Sequence, residues 1–420
     1  MSDAKIREAI DALAQGRPIV VTDNDTPQSG GDLVLAAERV TTQAMAFMIR
    51  HTGGVICAAL TSERLDALRI PLMVSENAGT MKAAFTISVD GRSTTTGISA
   101  AERAATIRTL IDPAAKPTDL VRPGHIFPLR AYDGGVLQRA GRTEASIDLA
   151  KAAGLYPGGA LAEVITDEGK VARRVDLEAL AAEHGLVMVS IPEIIRYRHR
   201  HDRLICKLSE ARLPTRYGEF AIHAYESVID RIQHVALVMG DVAAAPNVLV
   251  RVHSECLTGD LFGSMRCDCG TQLHDALEKI SAEGCGVLVY LRGHEGRGIG
   301  IGHKVSAYEL QDRGFDTMQA NLELGLPADK RDYSVGAQIL ADLGITSLQL
   351  MTNNPAKYDG IAEYGLTITE RVPLITEPNC ENVKYLQTKQ AKMGHLLGFT
   401  EESSRGRLTA TAHLASAAKP

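Results

Sequence analysis

Apolar positions along this chain switch repeatedly between a spacing of 3.6 and a spacing of 2, the signature of helices alternating with strands. Ile6, Ile10, Leu13 and Ala14 lie at helical spacing and predict a helix over residues 4–15, followed by a buried strand in PIVVT. MAFMIRHTGG predicts a helix end and VICAAL a strand. AFTISVD alternates like a half-buried strand, and SAAERAATIRTLID reads as an amphipathic helix. Further on, GEFAIHAYES, HVALVMG and NVLVRVHSE predict strands, and Leu273, Leu277 and Ile280 a helix ending on Gly284. GVLVYLRG is continuously apolar, as suits a strand covered on both faces. Helices in VSAYELQDRG and VGAQILADLG and a strand in LQLMT complete the pattern.

This succession predicts an α/β (mixed α+β) protein of two domains, 1–197 and 205–398. The charged run RYRHRHDR, from Arg196 to Arg203, marks the boundary and reads as a solvated linker, with 198–204 as its core. Residues 399–420, rich in Ala, Ser and Thr, read as a disordered tail.

Composition narrows the function classes. The net charge of −6 is spread over both signs, which argues against a nucleic-acid partner. Trp is absent and aromatics are 4%, leaving few platforms on which bases could stack. No apolar run approaches the ~20 residues of a membrane span, and MSDAKIREAI lacks a signal peptide's apolar core. Seven cysteines cannot pair completely, so a cytoplasmic location is expected.

Candidate chemistry concentrates between Arg251 and Gln272. Three cysteines there are spaced Cys256-x10-Cys267-x-Cys269. Thiolates suit a soft divalent ion, and three protein ligands leave a fourth tetrahedral position for water, so one catalytic zinc is one reading. The other is three small buried apolar residues. Just ahead, Leu249 to Glu255 alternates apolar and polar like a strand edge, placing Arg251, His253 and Glu255 on one side.

RVHSECLTGDLFGSMRCDCGTQL also resembles the zinc segment of GTP cyclohydrolase II, an enzyme of riboflavin biosynthesis. The likeness continues through HEGRGIG, AYELQDRGFDTMQAN, LGLPADKRDY, LMTNNPAKYDGI and ERVPL, over about 205–398. It implies zinc on Cys256, Cys267 and Cys269, magnesium carried with the GTP phosphates, and a homodimer. It implies GTP contacts at Arg251, Val252, His253, Ser254, Glu255, Gln272, Glu295, Gly296, Arg297, Thr317, Thr352 and Lys357. Either Glu255 or Glu295 can read the guanine N–H edge. Asp329 and Arg331 fall on the family's proton acceptor and nucleophile. On chemical grounds the alternative is that Arg331 only stabilises phosphoryl charge and Asp329 only orients it. Tyr308 matches a position near the ring, or packs on its helix. His294 stands where many relatives have Gln, and Cys285 and Cys380, outside the motif, are expected to be structural.

The first half resembles 3,4-dihydroxy-2-butanone-4-phosphate synthase, a magnesium enzyme acting on ribulose 5-phosphate. MAFMIRHTGG, TTTGISAAERA, RPGHIFPLRAYDGGVL and RTEASIDLAKAAGL carry the likeness over about 5–197. The family's acidic loop is replaced by TDNDTPQSGGD, in which both family glutamates are missing and Asp32 stands without carboxylate neighbours. The metal-binding His of the second motif is Arg142. Arg139, Thr143 and Glu163 still match substrate positions, His125 matches without a role, and Cys57 reads as buried. The expectation is a GTP cyclohydrolase II whose first domain is silent. Three alternatives stand beside it: a bifunctional enzyme, a paralogue with another GTP-derived product, and a non-catalytic nucleotide-binding scaffold.

Overall fold

The computed structural model describes residues 2–75, 83–326, 331, 333–355, 357, 361 and 364–398. The chain divides after Asp202 into two units, Met1–Asp202 and Arg203–Pro420. Among the described residues each unit holds one seven-stranded sheet.

In the first unit the strands are β1 (Ile19–Thr22), β2 (Gly31–Ala36), β3 (Cys57–Leu60), β4 (Val89–Gly91), β5 (Leu120–Arg130), β6 (Gly158–Glu163) and β7 (Met188–Ser190), in the order β4-β5-β3-β6-β2-β1-β7. Period-2 alternation builds a core on each face. Val20, Leu33 and Leu35 pack with Met45, Met48 and Ile107 on one side. Ile19, Val21 and Val34 pack with Ile6, Leu13 and Leu149 on the other. The helix Ala100–Ile111 starts where Ser99 and Glu102 cap each other's backbone N–H groups.

Two expectations fail here. AFTISVD supplies only bridges at Phe85 and Thr86 and the short β4, because its pairing register shifts at Val89/Asp90. RYRHRHDR is helical over most of its length rather than an extended linker: the helix Ile191–His201 takes in its first six residues, and the chain divides just after that helix. Arg198 in that run donates to Asp148 at 2.8 Å and to the Gly134 carbonyl at 3.0 Å. Paired charges anchor the helix to its own unit. The expected tail, 399–420, lies outside the described residues.

The second unit contains β8 (Ile205–Thr215), β9 (Gly218–Ser227), β10 (Gln233–Met239), β11 (Val248–Ser254), β12 (Gly286–Leu291), β13 (Ser347–Met351) and β14 (Thr367–Val372), ordered β14-β13-β11-β12-β10-β9-β8. The strands β8, β9 and β10 form an antiparallel meander joined to β12, while β12, β11, β13 and β14 run parallel. The polar, exposed β8 has no apolar alternation to reveal it. Although polar residues alternate along it, β11 lies between β13 and β12 and is buried on both faces. The helix Cys269–Glu283 makes the β11-to-β12 crossover and stops on Gly284 at φ 72°, a left-handed conformation that glycine adopts without a Cβ clash. Parallel strands connected this way leave a crevice at their carboxyl ends, where open α/β sheets bind ligands.

Candidate active site

Residues at the carboxyl ends of β11, β12 and β13 line one deep cleft. The Sγ atoms of Cys256, Cys267 and Cys269 all lie within 4.8 Å of one another, and the Cys256–Cys267 pair is 3.8 Å apart. Two thiolates at about 2.3 Å from a tetrahedral ion stand about 3.8 Å apart. A Cβ at Gly259 would sit 2.7 Å from the Cys267 sulfur and 3.1 Å from that of Cys256, so only glycine lets the cluster close. The thiols cannot all ionise unaided. Contacts with Cys267 and Cys269 draw the Cys256 thiol down, while Cys256 pushes Cys267 up to about 11 and Cys269 well above its ordinary value. A dication removes that conflict, so the donor set fits zinc.

A salt-bridged shelf supports the cluster. Lys304 Nζ donates to Glu295 Oε1 at 2.6 Å, Thr258 Oγ1 at 2.8 Å and Cys256 Sγ at 3.2 Å. Glu295 Oε2 accepts from the Leu257 N–H at 2.6 Å, and Tyr308 reaches Thr258 at 3.2 Å. Asp260 accepts from the Cys256 N–H at 3.0 Å and the Tyr290 hydroxyl at 2.8 Å, and lies 3.1 Å from His253 Nε2. Burial then holds the His253 imidazole below its usual range, although Asp260 pulls it upward.

The opposite part of the cleft is basic. Arg251 donates to the Met351 carbonyl at 2.9 Å and Gln272 at 2.7 Å. Lys357 donates to the Val252 carbonyl at 2.9 Å, and burial beside Arg251 and Arg331 drives its ammonium well below the normal lysine range. Arg297 is 9% exposed, and both its terminal nitrogens are without a hydrogen-bond partner among the described residues. Its φ of 68° is a left-handed conformation for a non-glycine residue. Such strain costs about 1–3 kcal/mol and collects at functional sites. Two buried donors aimed into a cleft call for an anion.

The structure brings nearly all sequence-selected residues to this cleft: Arg251, His253, Ser254, Glu255, Gln272, Glu295, Gly296, Arg297, Tyr308, Thr317, Arg331, Thr352 and Lys357. Val252 is an exception, because its side chain belongs to the hydrophobic core and only its carbonyl serves, as the acceptor for Lys357. Asp329 lies outside the described residues. His294 lines the cleft with Nδ1 3.3 Å from Ser254 Oγ. Cys57 is buried, whereas Cys380, expected to be structural, is exposed on a turn. Lys304, Asp260, Asp268, Lys389 and His395 were missed, since a single polar residue on a helix or turn carries no local signal of burial.

In the first unit, Arg142 occupies the centre of an acidic cluster. Its Nε and Nη2 donate to the two Asp23 oxygens at 2.7 and 2.6 Å, and Nη1 donates to Asp32 and, at 3.2 Å, to Glu163. Asp32 therefore does have carboxylate neighbours, Asp23 from its own loop and Glu163 across the β2–β6 pair. Burial pushes the Asp32 carboxyl up to about 6 against the pull of the guanidinium. Arg139 is engaged by Glu144 at 2.9 Å, and His125 Nδ1 by Asp90 at 2.8 Å.

Fold and site together define a two-domain enzyme with a cysteine-centred, cation-lined cleft in its second half. Family models agree: that of 3,4-dihydroxy-2-butanone 4-phosphate synthase matches residues 7–197, and that of GTP cyclohydrolase II matches residues 206–373. Riboflavin biosynthesis protein RibBA of Nocardia farcinica is 54% identical over 400 residues, covering 94% of this chain and 97% of its own. The RibBA protein of Salinispora arenicola is 53% identical over 405 residues, 96% of either chain. Bifunctional riboflavin biosynthesis protein RIBA 1 of Arabidopsis thaliana is 52% identical over 399 residues, 94% of this chain and 74% of its own. Among solved structures, RibBX, a two-domain 3,4-dihydroxy-2-butanone 4-phosphate synthase from A. baumannii, matches with TM-score 0.66 and 33% identity over 89% of this chain and 99% of its own. The chain belongs to the RibBA family of riboflavin biosynthesis proteins, and its second unit is a GTP cyclohydrolase II domain.

Proposed function

We propose that this enzyme opens the imidazole ring of GTP to give 2,5-diamino-6-ribosylamino-4(3H)-pyrimidinone 5′-phosphate, formate and pyrophosphate. The observation that carries the reading is the placement of three convergent sulfurs and an Arg297 guanidinium, whose terminal nitrogens have no partner among the described residues, in one cleft. Zinc on Cys256, Cys267 and Cys269 would supply an activated water at its open position. Arg251, Arg297 and Lys357 bind the triphosphate, which arrives with magnesium. Glu255 has one oxygen accepting from the Gly293 N–H at 2.7 Å, so its carboxylate is held in a fixed orientation at the cleft edge. It is better placed than Glu295, both of whose oxygens are engaged, to accept from the guanine N–H edge. Arg331, charged at any working pH, stabilises the phosphoryl group as pyrophosphate departs. Tyr308, on the Lys304 shelf, borders the ring. A cytoplasmic homodimer belongs to the same reading. Mass spectrometry of products from GTP with zinc and magnesium tests it: absence of formate and pyrophosphate, or a different pyrimidine, overturns it.

The first domain, in this reading, does not make 3,4-dihydroxy-2-butanone 4-phosphate. A magnesium site here would draw on the Asp32 carboxylate, but the Arg142 guanidinium already pairs with one oxygen of Asp32, one of Glu163 and both of Asp23 and repels a dication, so the residues present do not fit the ion. The competing bifunctional reading is favoured by the name of the Arabidopsis thaliana relative. Incubation with ribulose 5-phosphate and magnesium separates the two.

A further inference from the structure

The cleft has one wall beyond the matched GTP cyclohydrolase II block. The GTP cyclohydrolase II block ends at residue 373, yet Tyr385, Lys389 and His395 line the cleft, carried by the helix Val383–Met393 and the turn after it. Lys389 Nζ donates to Asp268 Oδ1 at 2.9 Å, with the two side chains only 12% and 2% exposed. Asp268 is the residue between the ligands Cys267 and Cys269. Its other oxygen accepts from Gln272 Nε2 at 2.6 Å, and Gln272 Oε1 accepts from Arg251 Nη2 at 2.7 Å. One continuous polar row thus runs from the C-terminal helix, through the cysteine turn, to the cationic floor of the cleft.

Burying an ammonium and a carboxylate is costly unless they are paired, so each member of the row needs the next. Asp268 stays out of the metal-binding cluster itself, because its oxygens are taken by Lys389 and Gln272. The ring of Tyr385 backs the Lys389 ammonium at 4.3 Å. Two further contacts pin the helix: Lys392 pairs with Asp316, and the Leu396 N–H donates to the Asn353 carbonyl at 2.9 Å.

We propose that Lys389 is a positioning residue for the cysteine centre, fixing the Cys267–Cys269 turn and the Gln272–Arg251 row through Asp268. The C-terminal helix is then part of the metal site rather than an appendage to it. This rests on the zinc reading above. Partners that orient metal ligands typically contribute about 10–100-fold in metal affinity.

The test uses full-length wild type, Lys389→Met, Lys389→Arg, Asp268→Asn and the double variant Lys389→Met/Asp268→Asn, each checked for folding by thermal melting. Zinc release to a chromophoric chelator is followed, with kcat and KM for GTP alongside. Lys389→Met is expected to release zinc about 10–100-fold faster and to raise KM. Lys389→Arg should stay nearer wild type, Asp268→Asn should behave as Lys389→Met does, and the double variant should be no worse than either single one. The double variant removes both charges, so it leaves no buried ion unpaired if Lys389→Met alone fails to fold. Wild-type zinc release from Lys389→Met with only KM raised, or additive losses in the double variant, overturns the proposal. A wild-type enzyme purified without zinc overturns the zinc reading itself, and is distinguishable because no variant is needed to see it.

Discussion

Arg142 grips Asp23 through two parallel hydrogen bonds of 2.7 and 2.6 Å while its remaining nitrogen reaches Asp32 and Glu163. One guanidinium thereby pairs with three carboxylates. Arg142→Ala should leave Asp32 buried without a counter-charge and destabilise the first domain by about 2–4 kcal/mol, at or below the usual cost of breaking a buried pair because Asp23 and Glu163 are partly exposed. Added magnesium should raise the melting temperature of Arg142→Ala but not of the wild type. Equal magnesium stabilisation of both proteins, or butanone-phosphate formation by the wild type, contradicts this account.

The purified enzyme should carry one zinc per chain. Cys267→Ser should lose the metal and GTP turnover together, whereas Cys285→Ser, outside the sulfur cluster, should keep both. Elemental analysis with parallel activity measurements decides.

The terminal nitrogens of Arg297 have no partner among the described residues, so Arg297→Ala should fold normally and weaken GTP binding. A charge-assisted contact to phosphate contributes about 1.5–3 kcal/mol, or roughly 10–150-fold in kcat/KM. Arg331→Ala should act differently, lowering kcat far more than it raises KM. Steady-state kinetics for the pair distinguishes binding from phosphoryl stabilisation.

Lys304→Met removes the cation shared by Glu295, Thr258 and Cys256. Turnover should fall about 10–100-fold with zinc still bound at the start of the assay. Unchanged kcat would show that the shelf serves packing alone.

Burial, with the nearby cations Lys389, Arg331 and Arg297, holds the His395 imidazole down at about 3. The unfolded chain takes up this proton near its ordinary pKa of about 6.5, and the folded protein does not. Its contribution to stability is therefore complete above about pH 6.5 and lost progressively as pH falls from there towards 3. His395→Asn should flatten that part of the stability–pH curve in denaturant titrations, and an unaltered slope refutes the assignment.

Much of this was legible in one dimension. Short continuous apolar runs located β1, β3 and β12, because a strand covered on both faces is apolar at every position, and the 3.6 spacing located the helices, each of which turns one face to a sheet. Cys256-x10-Cys267-x-Cys269 pointed to a converging sulfur cluster, and the three Sγ atoms do converge, because a C-x-C turn can aim two sulfurs at one point. Arg142 in place of histidine was visible as a broken motif.

The tertiary structure alone decided which charges meet. Sequence read Asp32 as isolated, but the β1–β2 hairpin returns Asp23 beside it and β6 brings Glu163, so one guanidinium satisfies three carboxylates. It read RYRHRHDR as a linker, although Arg198 finds Asp148 fifty positions upstream and helix results. The pairs Lys304–Glu295 and Lys389–Asp268 left no trace in local pattern either, the latter spanning 121 positions. Hydrophobic periodicity is a local property, set by how each segment faces its sheet. A buried ion pair depends on two partners meeting through the whole fold, and so becomes visible only once the chain is folded.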